Sequence, residues 1–209
     1  MTTYLMPAGF GEAELVEKRS RFIGRVWPVE TEAQALEHIE QMRKQHHDAR
    51  HNCFAYCVRD GGLMRYSDDS EPQGTAGQPI LNVFRGREIT NFCCVVTRYF
   101  GGILLGTGGL VRAYSEAAKL ALEQAGLQQM AKWQRVSVRC PYNMFERVKR
   151  LLTEQEAVPE DTEYGADICI TALLREDVTE RFSAALRELS AGGLEAEMLE
   201  ERFCGVRIE

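Results

Sequence analysis

The stretch "TRYFGGILLGTGGLVRAYSEAA", from Thr97 to Ala118, constrains the fold of this chain more than any other. An apolar, valine-rich run ends at Arg98, Tyr99 and Phe100, and five glycines follow before residue 110. An alanine-rich segment with helical spacing comes next. This order predicts a buried strand, a tight turn and an amphipathic helix. Glycines ahead of a helix permit positive φ and allow another group to approach the backbone. The helix start exposes unpaired N–H groups and carries about half a positive charge. Gly101, Gly102, Gly106, Thr107, Gly108 and Gly109 therefore form either a tight connection or an anion site. Neither common phosphate fingerprint is present. Val111 occupies the last position of a G-x-G-x-x-G frame, and the G-K-[ST] ending of a P-loop is missing.

A shorter echo lies upstream, where Gly74-Thr75-Ala76-Gly77 also opens a helical pattern. Before it stands the acidic loop Asp68-Asp69-Ser70-Glu71-Pro72. Asp68, Asp69 and Glu71 can be read as Mg²⁺ ligands or acid–base groups. They can equally be a helix-capping acid and a solvated turn. Arg98 ends the strand just before the glycines, where its bidentate donors suit a carboxylate or a phosphate. An ion pair with the acidic loop is the alternative. Arg112, one turn into the helix, is set to pair with Glu116 at (i, i+4).

Elsewhere the chain alternates strand and helix patterns. Two strands are expected around Lys18–Ser20. A helix then carries Ala35, Leu36, Ile39 and Met42, with Thr31 and Gln34 as its capping box. A hairpin should turn at Asp60-Gly61-Gly62. Gly126 closes the helix that follows the glycine-rich turn. From "WQRVSVRC" onward the order is βαββαβ, a split-βαβ, ferredoxin-like pattern. The fold class is therefore α+β with two domains, 1–132 and 133–209.

Charge follows the same division. Residues 1–133 hold 15 Lys+Arg and 15 Asp+Glu, whereas residues 134–209 hold 10 and 16 and account for the whole net charge of −6. This balance argues against a simple polyanion binder, which draws on phosphate neutralisation by Lys and Arg. The last strand is acidic, with Glu195, Glu197, Glu200 and Glu201 against Arg135 and Arg139, and no RNP-like aromatic motif appears. Seven cysteines lie scattered, mostly in apolar runs, as reduced and buried thiols of a cytoplasmic protein do. No signal peptide is apparent at the start, and no run nears the roughly 18 apolar residues of a membrane span. His46, His47, His51, Cys53 and Cys57 lack the spacing of a zinc site. On a strand His51, Cys53, Ala55 and Cys57 share one face, with His51 at its end as a candidate site residue. No G-x-S-x-G elbow is present, and no cysteine has an activating context.

At "RYFGGILLGTGGLVRAYSEAAKLAL", "ARHNCFAY" and "SDDSEPQGTAGQPIL" the chain resembles the IMPACT family, an uncharacterised protein family of bacteria and eukaryotes. The resemblance spans nearly all of residues 1–130. Its motif positions fall on His51, Asp68, Asp69, Glu71, Gly74, Thr75, Gly77, Arg98, Tyr99, Gly101, Gly102, Gly106, Gly108, Gly109 and Arg112. Ser70 stands where the family is expected to have glycine. The acidic second half resembles the extra C-terminal domain of bacterial members. The resemblance implies a ribosomal-protein-S-five domain-two-like fold for the first domain. It implies a ferredoxin-like second domain similar to the last domain of elongation factor G.

Both similarities point toward translation, and fold alone does not fix function. Eukaryotic members regulate translation in amino-acid starvation by competing for a kinase activator, helped by an additional N-terminal domain. That domain is not expected here, and the kinase role is not carried over. The leading expectation is a cytoplasmic, translation-linked regulatory protein whose first domain binds RNA or a ribosomal or protein partner. Its cleft would combine both glycine turns, His51, Arg98, Tyr99 and Arg112, without cofactor or membrane. One alternative is an enzyme acting on a phosphorylated or nucleotide-like substrate through Asp68, Asp69 and Glu71, with Mg²⁺. Another is a pure protein-interaction module. The sequence leaves the ligand and oligomeric state open.

Overall fold

The computed structural model describes residues 3–208, which form two compact units. One comprises residues 4–129 with 205–208; the other comprises residue 3 with 130–204. The chain opens with a short strand, β1 (Thr3–Pro7). Strands β2 (Gly11–Glu17) and β3 (Ser20–Pro28) then form the expected hairpin, turning at Lys18 and Arg19, both at positive φ. Helix α1 (Glu32–Gln45) starts at the expected capping box. Thr31 Oγ1 accepts from the Gln34 amide at 3.3 Å, and Gln34 Oε1 accepts from the Thr31 amide at 3.2 Å. Strand β4 (His51–Val58), a 3₁₀ turn at Asp60–Gly62 and β5 (Leu63–Ser67) make the second hairpin. Helix α2 (Gly77–Arg85), strand β6 (Phe92–Tyr99) and helix α3 (Thr107–Ala125) follow.

The antiparallel sheet of this unit runs β2-β3-β6-β4-β5. Alternation along its central strand β6 decides where site residues go. Phe92, Cys94 and Val96 join the core with α2 and α3, whereas Cys93 and Val95 pack with α1 on the opposite face. Arg98 continues the α3 side, and Thr97 and Tyr99 continue the α1 side. Cys53, Ala55 and Cys57 of β4 also lie under α2 and α3. A helix this close to the sheet needs small residues on both surfaces. A Cβ on Gly11 or Gly24 would stand only 2.2 or 2.3 Å from the carbonyl oxygens of Ala121 or Ala117. The alanine stripe Ala113, Ala117 and Ala121 supplies the matching helix face.

The second unit is built from most of β7 (Leu127–Cys140), α4 (Phe145–Glu154), β8 (Val158–Tyr164), β9 (Ile168–Arg175), α5 (Thr179–Leu189) and most of β10 (Ala196–Arg207). Strand β7 runs unbroken through residues 132–134. It pairs with β9 and with β10, and β9 pairs with β8. Val136, Val138, Ile170 and Leu174 form a core with Val148, Leu152, Phe182 and Leu186 of the two helices. Arg135 is neutralised by Glu160 at 2.7 Å and Glu200 at 3.7 Å, and Arg202 also contacts Glu160. Arg135 and Arg202 of this unit thus have local acidic partners. No helix among the described residues is long and apolar enough to cross a membrane.

Candidate functional site

The acidic loop binds the first glycine turn. Asp68 Oδ2 accepts from the Gly74 amide at 2.8 Å, and Oδ1 accepts from the amides of Ala76 and Gly77 at 3.0 and 2.8 Å. One carboxylate thus satisfies three donors at the start of α2, as the unpaired N–H groups of a helix end require. Thr75 turns inward, its hydroxyl donating to the Pro72 carbonyl at 2.6 Å. This Gly-Thr-x-Gly turn does hold an anion, and the anion is part of the chain.

The other two acidic residues diverge from Asp68. Asp69 Oδ2 accepts from the Asn52 amide at 2.6 Å, fixing the loop to the start of β4. Asp69 and Ser70 are the central residues of a turn closed by the Glu71 amide on the Asp68 carbonyl, and both have positive φ. Ser70, at φ 70°, therefore occupies a left-handed position that suits glycine. Glu71 is carried into the interior. Its Oε1 accepts from Arg98 Nη1 at 2.5 Å and from the Tyr114 hydroxyl at 2.8 Å. Burial first, then the Cys53 thiol and Glu71, push the Tyr114 hydroxyl well up, so it stays protonated and donates. Burial likewise raises the Cys53 and Cys94 thiols, which makes them poor nucleophiles.

Around Arg98 lies a cavity of about 380 Å³. Its wall includes Arg50, His51, Glu71, Phe100, Leu104 and the start of α3 at Gly106 and Thr107. The Arg98 guanidinium lies 5.4 Å from the Phe22 ring centre and 5.5 Å from that of Phe100. Only 5 % of Arg98 is exposed, and its Nε has no hydrogen-bond partner. His51 Nδ1 donates to the Asp69 carbonyl at 2.8 Å, which leaves Nε2 facing Glu71 Oε1 at 3.8 Å.

The second glycine turn forms one edge of this cavity. Gly106 is the N-cap of α3 with φ 71° and ψ 167°, a conformation open to glycine and strained for other residues. No side chain caps this end, and the first amide with a backbone acceptor is Leu110, bonded to Gly106. Among the described residues no group accepts from the amides of Thr107, Gly108 and Gly109. Gly101 and Gly102 belong to the approach. The Gly101 amide donates to Ser20 Oγ at 3.2 Å where the chain passes the β2–β3 turn.

Two expected site residues point elsewhere. Tyr99 lies on the α1 face, where its hydroxyl meets His46 Nδ1 at 2.8 Å and Asp48 Oδ1 at 3.0 Å. Arg112 lines a separate groove of about 520 Å³ with Glu17, Lys18 and Glu116. The ion pair at Glu116 is made by Lys119 at 4.0 Å, not by Arg112. His47 Nδ1 is directed to the Lys44 carbonyl at 3.3 Å and Cys53 Sγ to the Asp68 carbonyl at 3.0 Å. Among the described residues no three His, Cys, Asp or Glu side chains cluster as metal ligands.

Residues 18–122 match the Impact N-terminal domain, and residues 138–192 match a domain of unknown function (DUF1949). The chain is 36% identical over 183 residues to the IMPACT family member YvyE of Bacillus subtilis, covering 87% of this chain and 84% of that protein. It is 34% identical over 206 residues to the IMPACT family member YigZ of Escherichia coli, covering 96% and 100%. The chain belongs to the IMPACT family. A crystal structure described as that of an hypothetical protein matches with a TM-score of 0.61 and 33% identity, covering 96% of this chain and 98% of that one. The mixed α/β, two-domain architecture is thus shared with that structure.

Sequence reasoning missed several members of the site in this IMPACT chain, among them Tyr114 and Arg50. Tyr114 was hidden within an amphipathic helix, where its spacing reads only as core. Arg50 directly precedes His51, so its nearness to Arg98 depends on the β4–β6 pairing, in which His51 lies opposite Arg98.

Proposed function

We propose that this chain is a cytoplasmic, translation-linked regulatory protein whose first unit binds RNA, free or ribosomal, through the cleft at the start of α3. The observation that carries this reading is the uncapped α3 N-terminus in one cavity with Arg50 and Arg98. Helix amides and arginines together favour phosphate. The neutral balance of residues 1–133 suits recognition at one local patch rather than over a broad basic surface. Membership of the IMPACT family supports the link to translation.

The finer fold reading belongs to the same proposal. We read the first unit as ribosomal-protein-S-five domain-two-like and the second as ferredoxin-like. The pairing of β7 with both β9 and β10, that of β8 with β9, and the βαββαβ succession support the second assignment.

The enzymatic alternative, with Mg²⁺ on Asp68, Asp69 and Glu71, has less support. Each of those carboxylates already serves a different internal partner. Ribosome co-sedimentation tests the proposal. Wild type should associate at low salt and release as salt rises, and Arg50→Gln should weaken the association. Equal sedimentation of wild type and variant with and without ribosomes would sink it.

A further inference from the structure

The two Gly-Thr-x-Gly turns set up a comparison within one unit. Both first glycines are left-handed, Gly74 at φ 76° and Gly106 at φ 71°. At the first turn Asp68 takes three amides. At the second, no side chain of the described residues takes the part of Asp68. Gly106 and Thr107, at the start of this 19-residue helix, line the cavity, so its N-terminal dipole lies at the cavity edge.

An independent observation lies across the same cavity. Arg98 is almost wholly buried, Nη1 donates to Glu71, and among the described residues Nε has no hydrogen-bond partner. Glu71 supplies one negative charge there, and Tyr114 also donates to it. Arg50 stands exposed at the rim and brings a second positive charge. The arginines outnumber the single carboxylate, so the cavity favours an anion. Its remaining wall is apolar, with Phe100 and the 82 % exposed Leu104. A volume of about 380 Å³ is within the range of small-molecule sites.

We infer that this cleft is a single-nucleotide subsite: one phosphate lies at the amides of Thr107, Gly108 and Gly109 beside Arg50 and Arg98, and the base lies on Phe100 and Leu104. The inference rests on the RNA reading for its biological setting but concerns one site and one chemistry. The nucleotide belongs either to an RNA strand or to a free mononucleotide. An aromatic face and an exposed leucine serve any base, so the subsite reads phosphate more than sequence.

The test is amide-resolved NMR on the full chain, titrated in parallel with 5′-AMP, adenosine, inorganic phosphate and a short oligoadenylate. The amides of Gly108 and Gly109 should shift saturably with 5′-AMP and not with adenosine. Thr107→Pro removes one donor at a helix position that tolerates proline. It should weaken 5′-AMP binding about tenfold or more with an unchanged melting temperature, as loss of a hydrogen bond to a charged group implies. Arg50→Gln should weaken it by a similar factor. Equal affinity for 5′-AMP and oligoadenylate assigns the subsite to free nucleotide; at least tenfold tighter oligoadenylate assigns it to a strand. Both support the subsite. Unmoved Gly108 and Gly109 amides, or a Thr107→Pro variant that binds as wild type does, overturn it. Ribosome association with unmoved amides overturns the subsite and leaves the RNA reading standing. Saturable 5′-AMP shifts without ribosome association do the reverse.

Discussion

The turns at Gly74–Gly77 and Gly106–Gly109 have nearly the same sequence and opposite fates. The first is closed by the carboxylate of Asp68, which holds three amides and makes the turn a structural joint. The second starts a longer helix, and among the described residues its first amides have no acceptor. A local motif therefore specifies a geometry that accepts an anion, while the surrounding chain decides whether that anion is internal. In this protein the acidic loop makes the decision. One of its carboxylates serves the first turn, and another, Glu71, holds Arg98 in place beside the second.

The largest expected effect is at that anchor. Glu71→Ala removes the ion-pair partner that a buried arginine has among the described residues, and the acceptor of Tyr114. Breaking a buried pair by deleting one member costs about 3–5 kcal/mol. Chemical denaturation should show a loss of that size, and Glu71→Gln, which keeps an acceptor, should lose less. A loss under about 1 kcal/mol would mean that Arg98 holds its position by packing against Phe22 and Phe100, and the two turns would then not share the acidic loop as a common support.

Asp68→Ala comes next and tests the comparison directly. Three amides lose an ionised acceptor, and the expected loss is about 2–3 kcal/mol. Added formate should recover part of it for the variant and have no such effect on wild type, because the turn would then take its anion from solution. If formate stabilises both proteins equally, the first turn is not an anion site and the parallel fails.

Much of this arrangement is legible in the sequence because it is local. The capping box at Thr31 and Gln34, the hairpin turn at Asp60–Gly62 and the strand–turn–helix order around Gly106 each follow from adjacent residues. Period-two alternation also places Arg98 and Tyr99 on opposite faces, so a single cleft containing both was already at odds with the strand pattern. The capping of α2 by Asp68 rather than Asp69 depends on a turn with two positive-φ residues, which the sequence "DDSE" does not announce. Tyr114 meets Glu71 across a separation of 43 residues, and no local pattern reports such a pair. The short strand β1 offers too few residues for alternation to register.

Ser70→Gly should have a smaller effect and the opposite sign. The serine pays for left-handed backbone at φ 70°, whereas glycine takes that conformation freely but loses more entropy on folding. The net gain should be about 0.5 kcal/mol, seen as a small rise in denaturation midpoint. A loss instead would show that the Ser70 side chain helps to hold the loop.

The smallest stability effect separates a donor used inside the protein from one that is not. Thr107 is the first helical residue of α3, and its amide has no acceptor among the described residues. Proline at this position removes only that amide and has a φ already suited to the helix start. Gly106, with ψ 167°, has the extended ψ that a residue before proline prefers. Thr107→Pro should therefore change stability by less than about 0.5 kcal/mol. A loss of about 2 kcal/mol would place this amide in an internal hydrogen bond and make the second turn structurally equivalent to the first. Paired with the cost of Asp68→Ala, an unchanged stability would show that α2 starts on an acceptor supplied by the chain and α3 does not.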